Sequence, residues 1–154
     1  MRKYNLITNK EHILEMIQEY RRVQPDVVFF DTETDGLHLK NSKPFLLQLG
    51  FTSEEKTSVY VVDRLIHPDL FKQTVLVMFK LASKAEYLGG HNVKFDLHML
   101  RNVGFVYPHK NVTDTMIRIR AAHDALTAAN GGPPLGLKEY TSQYIDKSAK
   151  VHEH

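Results

Sequence analysis

Residues 27–36, VVFFDTETDG, constrain this chain more than any other stretch. Val27, Val28, Phe29 and Phe30 are four consecutive β-formers, and a short unbroken apolar run of this kind reads as a central, buried strand. Asp31, Glu33 and Asp35 then follow at alternate positions. In extended backbone, residues two apart project to the same side, so Asp31 and Glu33 point together. Like charges held in that way repel, and the repulsion grows as water is excluded. A hard divalent cation bound by oxygen donors offsets it. A solvated acidic loop after a strand is the plainer alternative at this point.

The flanking sequence supplies the rest of a mixed sheet. Thr8 and Glu11 have capping-box spacing ahead of Ile13, Ile17 and Tyr20, which predicts a helix over 9–22. Pro25 and Asp26 end it, and Asp35-Gly36 is a turn signal. FLLQLGF (45–51) and TSVYVVD (57–63), parted by a polar TSEEK, read as a hairpin that continues an antiparallel meander. Helix 70–82, strand 86–90 and a helix over 92–104 closed by Gly104 come next. Helix 115–129 and a last helix in LGLKEYTSQYI follow, on either side of Gly131-Gly132-Pro133-Pro134. Strands first, then alternating helix and strand, make an α/β domain. Tyr4, Tyr20, Phe71 and Phe79 are expected in its core rather than as base-stacking platforms.

Composition excludes several classes. The 154 residues suit one domain, and 42% hydrophobic with 25% charged rules out general disorder. Without cysteine there are no disulfides or thiolate metal sites. No apolar run nears the roughly 18 residues that span a bilayer, and the basic N-terminal stretch lacks a signal-peptide core. The chain is expected to be soluble and cytoplasmic. Lys and Arg exceed Asp and Glu by only 20 to 18, too little to announce nucleic-acid binding alone. Lys94, Arg101, Lys110, Arg118, Arg120 and Lys138 are candidates to border a cleft for a phosphate backbone. The nine histidines offer no compact four-ligand zinc set.

A second acidic motif stands in GGHNVKFDLHML, 89–100. Gly89 and Gly90 let the backbone approach something closely, and Asn92 and Asp96, four apart, are expected on one helical face above Met99 and Leu100. A carboxylate on a face that packs against a sheet is costly unless partnered. If this helix lies beside strand 27–31, Asp96 joins the acids of the first motif.

FFDTETDGL followed by GGHNVKFDLHML resembles the first two exonuclease motifs of the DEDD family of 3′→5′ exonucleases, with VTDTM after them. The resemblance runs from Val27 to Ile145, and its details are most similar to the proofreading domains of polymerase I-like DNA polymerases. It implies an RNase H-like fold, one exonuclease-like domain over 1–154, and two Mg²⁺ or Mn²⁺ ions that hydrolyse the 3′-terminal phosphodiester of single-stranded DNA, releasing nucleoside monophosphates. By that resemblance Asp31 and Glu33 hold the ion carrying the attacking water, Asp31 bridges to the second ion, and Asp96 acts on that side. Thr34 and Leu37 match positions that contact the terminal nucleotide, Leu37 as a wedge against its base. Asn92 and Phe95 match positions near the sugar and base, and Asp114 matches a supporting acid. The chemistry agrees, since two cations roughly 4 Å apart generate hydroxide and stabilise the departing oxygen.

The family's third motif, Tyr-x-x-x-Asp or His-x-x-x-x-Asp, is not present. Tyr140 and Tyr144 lack an Asp at that spacing, Asp146 and Glu139 lie out of register, and His152 has no partner. The expectation is that the domain stops short of that motif at its C-terminus. A DNA polymerase domain, or a separate polymerase subunit, would then supply the missing carboxylate, leaving the isolated chain weak or inactive. Two alternatives stand beside this reading. One is a ribonuclease D-like exonuclease acting on RNA. The other is a catalytically weak module that grips a 3′ end.

Overall fold

In the computed structural model, which describes residues 2–54 and 56–127, the elements run β1 (Arg2–Leu6), α1 (Lys10–Val23), β2 (Val27–Thr34), β3 (Pro44–Thr52), β4 (Thr57–Asp63), α2 (Pro68–Lys84), β5 (Tyr87–Gly90), α3 (Val93–Asn102), β6 (Val112–Asp114) and α4 (Thr115–Thr127). The chain divides into two units, Met1–Thr113 and Asp114–His154. The strands form one sheet in the order β1-β4-β3-β2-β5-β6. The expected α/β fold is present: β2, β3 and β4 are an antiparallel meander, and β5 lies parallel to β2.

One sheet face is built by alternation. Phe30 and Thr32 of β2 sit across from Leu49 and Leu47 of β3, Tyr60 and Val62 of β4 continue the row, and Val28 and Phe51 belong to the same core. All are buried. Helix α2 covers this core with Phe71, Val75, Met78 and Ala82, which recur at intervals of three and four residues. Ile13 and Met16 of α1 join them, as do Val93 and Leu100 of α3. Tyr20 donates its hydroxyl to the Leu81 carbonyl at 2.9 Å, so a half-buried phenol reaches the core without an unmet polar group.

On the opposite face one row of partners runs straight across four strands. Tyr4 of β1 sits beside Val59, Val59 beside Gly50 and Gly50 beside Phe29. Tyr4 and Phe29 are both exposed. Tyr4 is therefore not a core residue, whereas Phe71 and Phe79 are. Period two put Tyr4 on this side once β1 paired with β4. Neither β1 nor β6 is anticipated from the sequence. Both are short, and β1 pairs in parallel with a strand some fifty residues away, a contact with no local signal.

Local chemistry adjusts two helix starts. Asn9, not Thr8, caps α1, its Oδ1 accepting from the His12 amide at 3.0 Å. Asn92 lies outside α3, in left-handed backbone (φ 58°, ψ 48°) just before Val93. It does not share a helical face with Asp96 as expected. The far end of α3 is a Schellman closure: Gly104 (φ 98°) donates to the Arg101 carbonyl and Phe105 to that of Leu100, both at 2.9 Å. In the second unit, α4 opens with Asp114 Oδ1 accepting from the Met116 amide at 2.9 Å. The expected helix in LGLKEYTSQYI, with Tyr140, Tyr144, Glu139 and Asp146, lies outside the described residues. Among the described residues no helix is long and apolar enough to cross a membrane.

Candidate active site

Two parallel strands, β2 and β5, end at the same edge of the sheet, and their pairing covers only Val27–Phe29 against Tyr87–Gly89. From Phe30 onward β2 extends past its neighbour, and the chain leaving β5 turns through His91 and Asn92 into α3. The crevice beyond the carboxyl ends of such strands is where open α/β sheets place ligands. Asp31 and Glu33 stand there.

Gly89 and Gly90 bring the second motif against the first. A Cβ on Gly89 would lie 2.9 Å from Val27 Cγ1 and 3.1 Å from the Phe29 ring, and one on Gly90 would lie 3.0 Å from the Phe30 carbonyl oxygen. The close approach expected of this pair is thus an approach to β2. Asn92 tolerates the positive φ that turns the chain.

The strand alternation holds. Asp31 pairs across with Gln48 and Glu33 with Leu46, and both acids lie on the accessible face, opposite Thr32. Although Asp31 reaches solvent, the surrounding protein displaces enough water to push its carboxyl above the usual range. The Glu33 charge pushes the same way, while the Thr32 amide and the His91 charge pull back. The two acids thus set their oxygen donors on one side of the strand. That donor chemistry fits a hard divalent cation.

Asp96 is buried against the same strand from the other side. Its Oδ1 accepts from the Thr32 amide at 3.2 Å and from the Thr32 hydroxyl at 2.5 Å. Thr32 is the residue between Asp31 and Glu33, so Asp96 is tied to the stretch of strand that carries the other two acids. They do not close into a cage: among the described residues, no group of three His, Asp or Glu side chains is arranged to hold a metal ion.

The loop bearing Leu37 is fastened to the helix bearing Asp96. Asn102 Nδ2 donates to the carbonyls of Leu39 at 2.8 Å and Ser42 at 2.7 Å. Asp35 Oδ1 accepts from the Lys43 amide at 2.7 Å, and Ser42 Oγ from the His38 amide at 2.9 Å. Asp35-Gly36 thus opens a braced loop from 35 to 43 rather than a tight hairpin. Leu37 projects from it, 84% exposed. Thr34 donates its hydroxyl to the Gly36 carbonyl at 2.8 Å, and Phe95, half-buried, precedes Asp96. Asp114 belongs to the second unit, where it serves the start of α4.

Sequence reasoning missed Thr32, His91 and Asn102. The position of Thr32 between two acids was the one available signal; nothing local marks Asn102 as a clasp.

The family profile described as 3′-5′ exonuclease matches residues 4–153. No curated protein sequence matches the chain. Among solved structures, the chain is similar to the Nibbler EXO domain of Aedes aegypti, at 13% identity and TM-score 0.55, covering 82% of this chain and 58% of that one. Brucella melitensis NrnC with bound Mg²⁺ is similar at 21% identity and TM-score 0.51, with 94% and 61% covered. Escherichia coli RNase D, an exoribonuclease involved in structured RNA processing, is similar at 18% identity and TM-score 0.56, with 93% and 33% covered. At these identities the likeness is one of fold, and the chain spans under two thirds of each of those chains.

Proposed function

The chain belongs to the 3′-5′ exonuclease family, and from that premise we propose that it hydrolyses the 3′-terminal phosphodiester of single-stranded DNA, in a proofreading-type role. The observation that carries the reading is the arrangement at the end of β2: Asp31 and Glu33 side by side, and Asp96 hydrogen-bonded to the residue between them. Asp31 and Glu33 would hold the divalent ion, Mg²⁺ or Mn²⁺, with Asp96 on the second side. Bound there, such an ion supplies hydroxide near neutral pH and stabilises the departing 3′ oxygen. Leu37 wedges against the terminal base, Thr34 and Asn92 bind the terminal nucleotide, Phe95 packs near it, and Asp114 supports. A polymerase domain or subunit would contribute a further carboxylate at the Tyr-x-x-x-Asp position of the family's third motif.

The test is release of nucleoside monophosphates from a 3′-labelled strand in Mn²⁺, with and without an added polymerase segment carrying Tyr-x-x-x-Asp. Asp31→Ala, Glu33→Gln and Asp96→Ala should each abolish release. Undiminished release in chelator would overturn the metal-dependent reading, and full activity of the chain alone would remove the need for a partner.

RNA is the second reading, favoured by the likeness to RNase D. Matched DNA and RNA strands separate the two. A protein that binds 3′ ends in chelator but cuts neither in Mn²⁺, even with the segment supplied, is instead a binding module.

A further inference from the structure

Helix α3 carries a second surface, turned away from Asp96. Lys94, His98 and Arg101 stand at i, i+4 and i+7, one stripe along the helix. Asp96, two residues from Lys94, is rotated about 200° around the axis. Beside the stripe runs an open groove of about 390 Å³, its apolar side formed by residues that include Leu97, Val106 and Tyr107. Lys94 and Arg101 are exposed, Val106 is 60% exposed, and no carboxylate lines the groove among the described residues.

Tyr107 is held rigidly. Its ring meets Phe79 edge-on at 5.0 Å and His109 at 5.3 Å, and its hydroxyl donates to Asn111 Oδ1 at 2.7 Å. Asn111 Nδ2 is in turn bonded to the Ala82 carbonyl at 2.9 Å. An immobilised aromatic in an apolar groove, flanked by the charges of Lys94 and Arg101, has the two elements by which single strands are gripped without sequence preference: charges that follow phosphates, and a surface for a base.

We propose that this groove is a second binding subsite for single-stranded nucleic acid, taking a stretch of the strand behind the 3′ end that the acids process. Lys94 to Arg101 spans about 10 Å of helix axis, so the two charges can each meet a separate phosphate of one strand. Phosphates lie along Lys94, His98 and Arg101, and a base enters the groove beside Tyr107. The proposal rests on the exonuclease reading for its substrate, and the charge pattern selects a polyanion over an apolar peptide.

The experiment is a binding titration on the full chain in chelator, with a fluorescent single strand of about 15 nucleotides, repeated across salt concentrations. The Lys94→Ala/Arg101→Ala double variant should bind tenfold or more weakly at low salt. Its plot of log K against log salt should be flatter by about 1.4, two phosphate contacts at roughly 0.7 each. A strand carrying 5-iodouracil should photo-crosslink to the peptide containing Tyr107. Unchanged affinity and slope, crosslinks confined to other peptides, or no binding by the unaltered chain would each overturn the subsite. Cleavage in Mn²⁺ that survives Asp31→Ala, alongside the expected loss of binding, would sink the active-site reading and leave the groove standing.

Discussion

Asp96 Oδ1 accepts two hydrogen bonds from Thr32, one from its amide at 3.2 Å and one from its hydroxyl at 2.5 Å. A buried carboxylate on one element is thereby fixed to the residue that separates two accessible carboxylates on another. The bond ties the register of β2 to the position of α3, and with it the two exonuclease motifs to each other.

Removing the hydroxyl while keeping its shape isolates this tie. Thr32→Val should destabilise the protein by about 1.5–3 kcal/mol, the range for a hydrogen bond to a charged group, because Asp96 stays buried with one donor fewer. Chemical denaturation measures the loss. A Thr32→Ser variant, which retains the donor, should recover part of it.

The acid pair has its own signature. Burial and the Glu33 charge raise the Asp31 carboxyl, so the folded protein holds that proton more tightly than the unfolded chain. The ionised form therefore opposes folding above the carboxylate range, and the opposition fades as pH falls. Asp31→Asn should raise the metal-free melting temperature at neutral pH, with the gap closing in acid. Millimolar Mn²⁺ should stabilise the unaltered protein and leave the variant nearly unmoved. A variant that melts lower in chelator would contradict the repulsion.

Glu19 titrates with the opposite sign. The hydrogen bond from Arg22 chiefly, opposed by burial and aided by Lys56, lowers its carboxyl from 4.5 to about 2. The ion-pair distances are 2.6 Å to Arg22 and 3.0 Å to Lys56. A depressed acid contributes stability that is present above 4.5 and disappears as pH falls towards 2. Because Arg22 is largely exposed, solvent screening limits the contribution to about 0.5–1 kcal/mol. Melting curves of Glu19→Gln should lie below those of the unaltered protein at neutral pH and converge with them across that acid window.

Two strand glycines should differ in what they tolerate. A Cβ on Gly89 meets side chains, Val27 and the Phe29 ring, which can shift; one on Gly50 falls 2.6 Å from the Ser58 carbonyl oxygen, part of the neighbouring strand. Gly89→Ala should cost about 1–3 kcal/mol. Gly50→Ala should cost more, since the β3–β4 ladder itself must move. Equal costs in denaturation would show that the backbone yields as readily as the side chains.

Much of the sheet was legible because its signals are local. TSVYVVD became β4 with both predicted bounds, and the apolar run of β2 continued into its own acids as one strand to Thr34. Alternation placed Asp31 and Glu33 on one side. Tyr4 and Asn92 were misplaced for a shared reason: each depends on a partner distant in the chain. Tyr4 turned outward when β1 joined β4, and Asn92 left the helix when Gly89 and Gly90 pressed against β2.

By itself the sequence determined which residues carry charge at the strand end, and that two acidic motifs follow each other in an α/β pattern. Periodicity and residue chemistry act over a few residues and need no fold to express them. Only the tertiary structure decided that Asp96 meets Thr32, that Asn102 holds the loop bearing Leu37, and that Lys94 and Arg101 share a groove with Tyr107. The first two contacts join parts of the chain far apart in sequence, and a parallel strand pair followed by a helix fixes them through packing that no short stretch encodes.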